Sequence, residues 1–355
     1  IHLTSDPDWG EGDALIYGSE PLRGGWRRCE GTADAPGMPD PGKLWVNDIG
    51  RDFENDAKKE NVSCIWRITD GEVVRLHKAR DPDYNGDNPF YPTDYWYQWE
   101  AFQGFMNSGW LRDSRWKGKP QDFFKGGTIC TQHANLMGTP HRVPLRDFRP
   151  ETGDIKVRSP GGAIYYRAGG TGKNVFKPIK PQVGYFIENV PAFLDAPDEY
   201  FFDQASGRLY VRLEDGADPN DSIFEVGTIS SPIQIFDQSH ITISGLTFRF
   251  NDEEDGTWGY PGWVGNKPMV RGVGNCRFIT VRNCRFYDVI NAVTMFTRPG
   301  SIRSKAWVED LGPYQDDRMT DILICDNDVR NASRMQTIYC GGGNLARIRI
   351  LRNRL

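Results

Sequence analysis

The carboxylates placed to do chemistry lie in the last third of this chain. Asp252, Glu253, Glu254 and Asp255 stand side by side, Asp288 directly follows a short apolar run, and Glu309 and Asp310 are adjacent in a longer loop. Two carboxyl groups held about 5 to 9 Å apart are the machinery of glycoside hydrolysis: one protonates the leaving oxygen, and the other acts as nucleophile or as the base for water. Asp252, Glu254, Asp288 and Glu309 are therefore the candidate catalytic residues. Asp288 leads because the strand before it sets its position; the plainer reading of the rest, and of Asp237, is a solvated acidic surface. Trp258, Trp263 and Trp307, with Tyr260, offer flat faces on which sugar rings stack, or else pack their loops onto the scaffold. Arg271 and Arg298 suit a substrate carboxylate or sulfate, since a guanidinium binds such groups through two parallel bonds, although an arginine on a sheet is more often simply solvated.

A metal is a weaker expectation. Asp81, Asp83, Asn85 and Asp87 alternate around Gly86 as at the start of a calcium loop, but the twelfth position is Pro92 where such a loop has a bidentate Glu. A turn rich in Asp, Asn and Gly is preferred. His77, His133, His141 and His240 have no metal-ligand spacing, and the seven cysteines form no CxxC pair and are odd in number, so neither a zinc site nor a disulfide scaffold is indicated.

The elements that must position these groups come from an internal repeat. Four octets superimpose: Ile241 to Phe248, Ile279 to Phe286, Ile322 to Val329 and Ile348 to Leu355, each I-x-[IV]-x-x-[LCN]-x-[FVL]. Alternation puts positions one and three on one face of a strand. Position six, which is Leu246, Cys284, Asn327 and Asn353 in turn, marks a corner where Asn side chains can bond along a stack. A further strand precedes each octet: Pro232 to Asp237, Pro268 to Val273, Asn291 to Phe296 and Gln336 to Cys340. Three strands per repeat predict a right-handed parallel β-helix. Residues 249–267 and 297–319 leave it as loops that flank the sheet formed by the leading strands, and that sheet is the expected binding face.

Three segments follow from this pattern: 1–26 as an early helix turn, 27–228 as an inserted β-rich domain, and 229–355 as helix turns. The apolar stack that would end at Leu355 needs a cap, so further turns are expected beyond it, and the start at Ile1 likewise predicts a chain cut at both ends. The formal net charge of -5 argues against a nucleic-acid partner, and no apolar run reaches the roughly 20 residues of a membrane helix.

Several runs resemble a known family. Trp26, Leu44 to Val46, Arg75 to Asp83, Tyr185 to Val190, Leu194 to Pro197, Glu199 to Asp203, Gly207 to Tyr210 and Ile241 to Phe248 are similar to β-helix proteins of the pectate-lyase-like superfamily that include fucosidase- and xylanase-type glycoside hydrolases. The resemblance covers nearly the whole chain, and it implies the β-helix fold and a carbohydrate-active protein. Some relatives have His where this chain has Asp288, so no catalytic residue carries over. The expected function is that of a secreted or cell-surface glycoside hydrolase acting on a plant or algal polysaccharide or oligosaccharide. Two alternatives stay open. One is a non-catalytic extracellular β-helix, such as an adhesin, a surface-layer protein or a structural component. The other is a polysaccharide lyase, in which Arg271, Arg298 and Lys305 would neutralise a uronate.

Overall fold

A computed structural model describes residues 1–6, 8, 10–49, 62–84, 96–105, 108–132, 140–158, 177–178, 184–214, 217–252, 268–297, 317–332 and 337–355. It is an all-β structure with a few 3-10 turns.

The octets form strands with the expected faces. Ile279, Val281, Ile322 and Ile324 are buried in one apolar cluster with Phe248, Phe286 and Val329. Strands recur in a fixed order, and each lies parallel to its counterpart in the neighbouring repeat. The first sheet contains Ile233–Phe236, Pro268–Val273, Asn291–Phe296 and Ile338–Gly341. The second contains His2–Thr4, Ser239–Ser244, Arg277–Arg282, Met319–Cys325 and Leu345–Leu351, and the third Leu15–Tyr17, Thr247–Arg249, Arg285–Tyr287 and Asp328–Arg330. Matching octet positions are in register, with Ile241 beside Ile279 and Ile279 beside Ile322. Ile322 in turn lies beside Ile348.

Sharp bends between strands use left-handed backbone in columns. At octet position five, Gly245, Asn283, Asp326 and Arg352 have φ of 68°, 51°, 56° and 50°. Gly adopts this region freely and Asn and Asp tolerate it, whereas Arg does so rarely. A bidentate ion pair from Arg352 to Asp326, at 2.6 and 2.7 Å, secures that last position.

The corner stack forms as predicted. Asn327 Oδ1 accepts from the Cys284 amide at 2.9 Å, and its Nδ2 donates to the Val281 carbonyl at 3.1 Å and to Asn353 Oδ1 at 2.9 Å. Because Asn327 is buried, Asn327→Ala leaves donors and acceptors stranded, and we expect it to lower stability by about 1–3 kcal/mol in urea denaturation.

Between Tyr17 and Ile233 the pairing changes to mainly antiparallel. One eight-stranded sheet runs Ser19–Arg23, Ile223–Gly227, Ile65–Thr69, Glu72–Lys78, Glu199–Asp203, Arg208–Arg212, Trp45–Asp48 and Arg27–Arg28. A nine-stranded sheet includes Thr128–Gln132, Gly184–Glu188 and Arg80–Asp81. The insertion thus has its own apolar cores. The early repeat strands are His2–Thr4 and Leu15–Tyr17, whereas Pro21 to Arg23 pair antiparallel with Ile223–Glu225 of the insertion. Leu22 and Trp26 are drawn there because the insertion core around Phe224 buries them. No helix among the described residues is long and apolar enough to cross a membrane.

Candidate functional site

Two local turns build the site. Asp70 and Gly71, with φ of 52° and 85°, make a two-residue hairpin turn that returns the chain into Glu72–Lys78. Farther along, the 3-10 turn Pro191–Phe193 is anchored by buried Phe193 and Leu194. Asp198 then takes left-handed backbone, φ 56°, before the strand Glu199–Asp203 begins. These two strands are the one parallel pair described in the insertion, and their register sets Glu199 directly beside His77. Register partners present their side chains to the same face.

Glu199 is only 2% exposed. Its carboxyl accepts from the amides of Arg80 at 3.2 Å and, within its own turn, Ala196 at 3.3 Å, tying two segments of the insertion together. Asp83 and Asp195 converge on it: one oxygen of each of the three carboxyl groups lies within 4.8 Å of the others. Burial, then the charges of Asp83 and Asp195, push the Glu199 carboxyl up to about 9. Asp83 and Asp195 are raised as well, mainly by burial, with Asp195 and Asp81 adding to Asp83, and Asp81 adding to Asp195. Glu199 therefore holds a proton at neutral pH. The same oxygens could hold one divalent cation, the other way of relieving crowded acids.

Beside this cluster is a cleft of about 240 Å³ whose lining includes Arg75, His77, Tyr84, Pro197, Asp198 and Glu199. The Tyr84 ring stacks on His77 with centroids 4.1 Å apart and planes inclined by 20°. Burial and the nearby cations Arg75 and Arg80 push His77 down to about 3, so its ring is neutral. The lining thus combines a protonated acid, the Asp198 carboxyl and a flat aromatic face, with Asp83 and Asp195 grouped on Glu199 beside it; these are parts that can hold a sugar and protonate its leaving oxygen.

The residues singled out from the sequence fall elsewhere. Asp288 lies in the bend between the third and first sheets, φ 55°, where Arg249 Nη2 donates to Oδ2 at 2.5 Å and Asn331 Nδ2 to Oδ1 at 2.9 Å. It cross-links three repeats. Asp252 is buried, with Ser63 of the insertion donating to its carboxylate. Asp237 accepts from the Asn275 amide at 2.8 Å. Arg271 is in register with Thr294, and Thr294 with Tyr339, across the first sheet; the Arg271 guanidinium is 5.5 Å from the centre of the Phe296 ring. Glu254, Glu309, Trp258, Trp263, Trp307 and Arg298 lie outside the described residues, as do Glu253, Asp255, Tyr260, Lys305 and Asp310.

Of the calcium-like run, Asn85 and Asp87 also lie outside the described residues. Asp81 bonds to the Tyr97 hydroxyl, and Asp83 groups with Asp195 and Glu199 instead. Glu199, Asp195 and His77 were not singled out. A usable signal was present: an acid opening the aromatic run Tyr200-Phe201-Phe202 must be buried with its strand. All seven cysteines are free thiols.

A solved structure titled glycoside hydrolase shares this fold. It superimposes with a TM-score of 0.60 at 14% sequence identity, over 91% of this chain and 60% of the other. This chain therefore spans about 60% of the length of that neighbour. No protein-family model matches the sequence, and neither does any curated protein. The likeness is one of fold.

Proposed function

We propose that this chain is a carbohydrate-active protein of the glycoside hydrolase type, with its chemistry in the Glu199 cleft. The convergence of Asp83 and Asp195 on buried, protonated Glu199 carries this reading. The three parallel sheets are read as a right-handed β-helix of the pectate-lyase-like kind, because successive parallel crossovers take that hand almost without exception. The substrate is a plant or algal polysaccharide or oligosaccharide, and a secreted or cell-surface location goes with it.

Glu199 gives its proton to the glycosidic oxygen while the ionised Asp83 or Asp195 attacks the anomeric carbon. The glycosidic bond breaks as a carboxyl ester forms, which suits the close carboxyl spacing of a retaining enzyme. Esterification removes one negative charge beside Glu199, so its pKa falls. As a carboxylate it then takes a proton from water, and the water oxygen bonds to the anomeric carbon as the ester bond breaks, which frees the sugar and restores the aspartate carboxylate and the protonated Glu199.

The test is a panel of plant and algal polysaccharides offered to the wild-type chain, Glu199→Gln and Asp288→Asn. We expect reducing sugar from at least one substrate and its loss in Glu199→Gln. Loss confined to Asp288→Asn would move the chemistry to the repeats. An unsaturated product would mean a lyase, and no product from any substrate would leave a non-catalytic β-helix.

A further inference from the structure

We infer that the Glu199 cleft takes a single terminal sugar ring, so that hydrolysis is exo-acting and removes monosaccharides from chain ends. This rests on the hydrolase reading above, and size carries it further. Pockets for drug-sized ligands run from about 300 to about 1,000 Å³, and the cleft, about 240 Å³, is smaller than that range.

The lining is correspondingly short. A polymer cut in mid-chain needs an open path on both sides of the broken bond and a platform for each of several rings. Here the strand Glu72–Lys78 bounds one side and the turn from Ala196 to Glu199 the other. The acid that would protonate the leaving oxygen is one of the lining residues and only 2% exposed.

Among the lining residues the aromatic platform is one ring deep. One face of Tyr84 is occupied by His77. Tyr84 is 49% exposed, and the face away from His77 is the one assigned to the sugar. His77 does not itself touch the sugar in this arrangement; it is a positioning residue that keeps the tyrosine flat against the cleft. Its neutral ring does this without adding charge beside the acids. Arg75, which also donates to Cys64 Sγ at 3.5 Å, and Asp198, which pairs with Arg67 at 3.6 Å, are on the same lining and have further donor and acceptor positions for sugar hydroxyls.

The experiment is a product time course on defined tri- to hexasaccharides labelled at the reducing end, taken from whichever polysaccharide the wild-type chain degrades. Monosaccharide as the first product, with labelled chains shortened one unit at a time, is expected. Tyr84→Ala should raise KM about two- to tenfold with kcat little changed. Because Tyr84 lies at the surface, that variant is expected to fold, and a wild-type melting temperature checks this. His77→Phe retains a flat buttress and should restore most of the KM that His77→Ala loses. Mid-chain fragments as early products would overturn the exo assignment while leaving the hydrolase reading intact. An unchanged KM in a folded Tyr84→Ala chain would overturn the platform. Failure to cleave any polysaccharide would remove the hydrolase reading, and the inference with it.

Discussion

Replacing Glu199 by Gln is expected to lower kcat by about 10²- to 10⁴-fold, the range supplied by one general acid, and to make the folded chain less sensitive to alkali. The second effect separates this carboxyl from an ordinary structural one. Its folded pKa, about 9, is above the ordinary 4.5. Its contribution to stability is thus fully present below about pH 4.5 and is lost as pH rises through about 9. Gln cannot ionise, so urea midpoints measured from about pH 5 to about pH 9 should fall less in the variant than in the wild type. An unchanged alkaline slope would mean that Glu199 is not the proton holder of the cluster. His77 has the opposite sign: its pKa is depressed from 6.5 to about 3, so its contribution is present above about pH 6.5 and is lost as pH falls through about 3. The cleft is therefore expected to be most stable in mild acid, between those limits.

Phe286→Ala is expected to cost about 3–5 kcal/mol, the usual range for emptying a buried aromatic site. Phe286 is fully buried and stacks on Phe248 of the preceding repeat, with centroids 4.8 Å apart and planes inclined by 5°. Val329 shares the same core. Neither neighbour can close the space without breaking the register of the third sheet. Phe278 provides the contrast. It also stacks on an aromatic ring one repeat away, His240 at 4.7 Å, but is 49% exposed. Phe278→Ala should therefore change stability by no more than about 0.5 kcal/mol. Urea denaturation of the two variants checks both values. Equal losses would place the apolar interior of the repeats elsewhere.

What could be read from sequence follows the range of the forces involved. Alternation in the octets depends only on the two-residue period of a strand, so Ile279 and Val281, like Ile322 and Ile324, share one face whatever they touch, and that face is buried. The Asn corner was legible for a similar reason: residues at one octet position stack when equal strands lie in register, and Asn327 meets Cys284 and Asn353 there. The split of Pro21 to Trp26 from the first repeat was not legible, because a short apolar run suits either a parallel neighbour or an antiparallel one. Only the insertion core decides between them.

The sequence by itself therefore determined the repeat: its strand order, its register and its corner stack. Tertiary structure decided which carboxylates meet. Asp288 had a well-defined position, but Arg249 and Asn331 from adjoining repeats take up its oxygens. Asp195 and Glu199 share one turn, whereas Asp83 comes from a remote segment and meets them because a parallel strand pair places Glu199 beside His77. Period tells a side chain which way to point, whereas a shared proton requires oxygens within a few ångströms, a distance that only the pairing of remote strands sets.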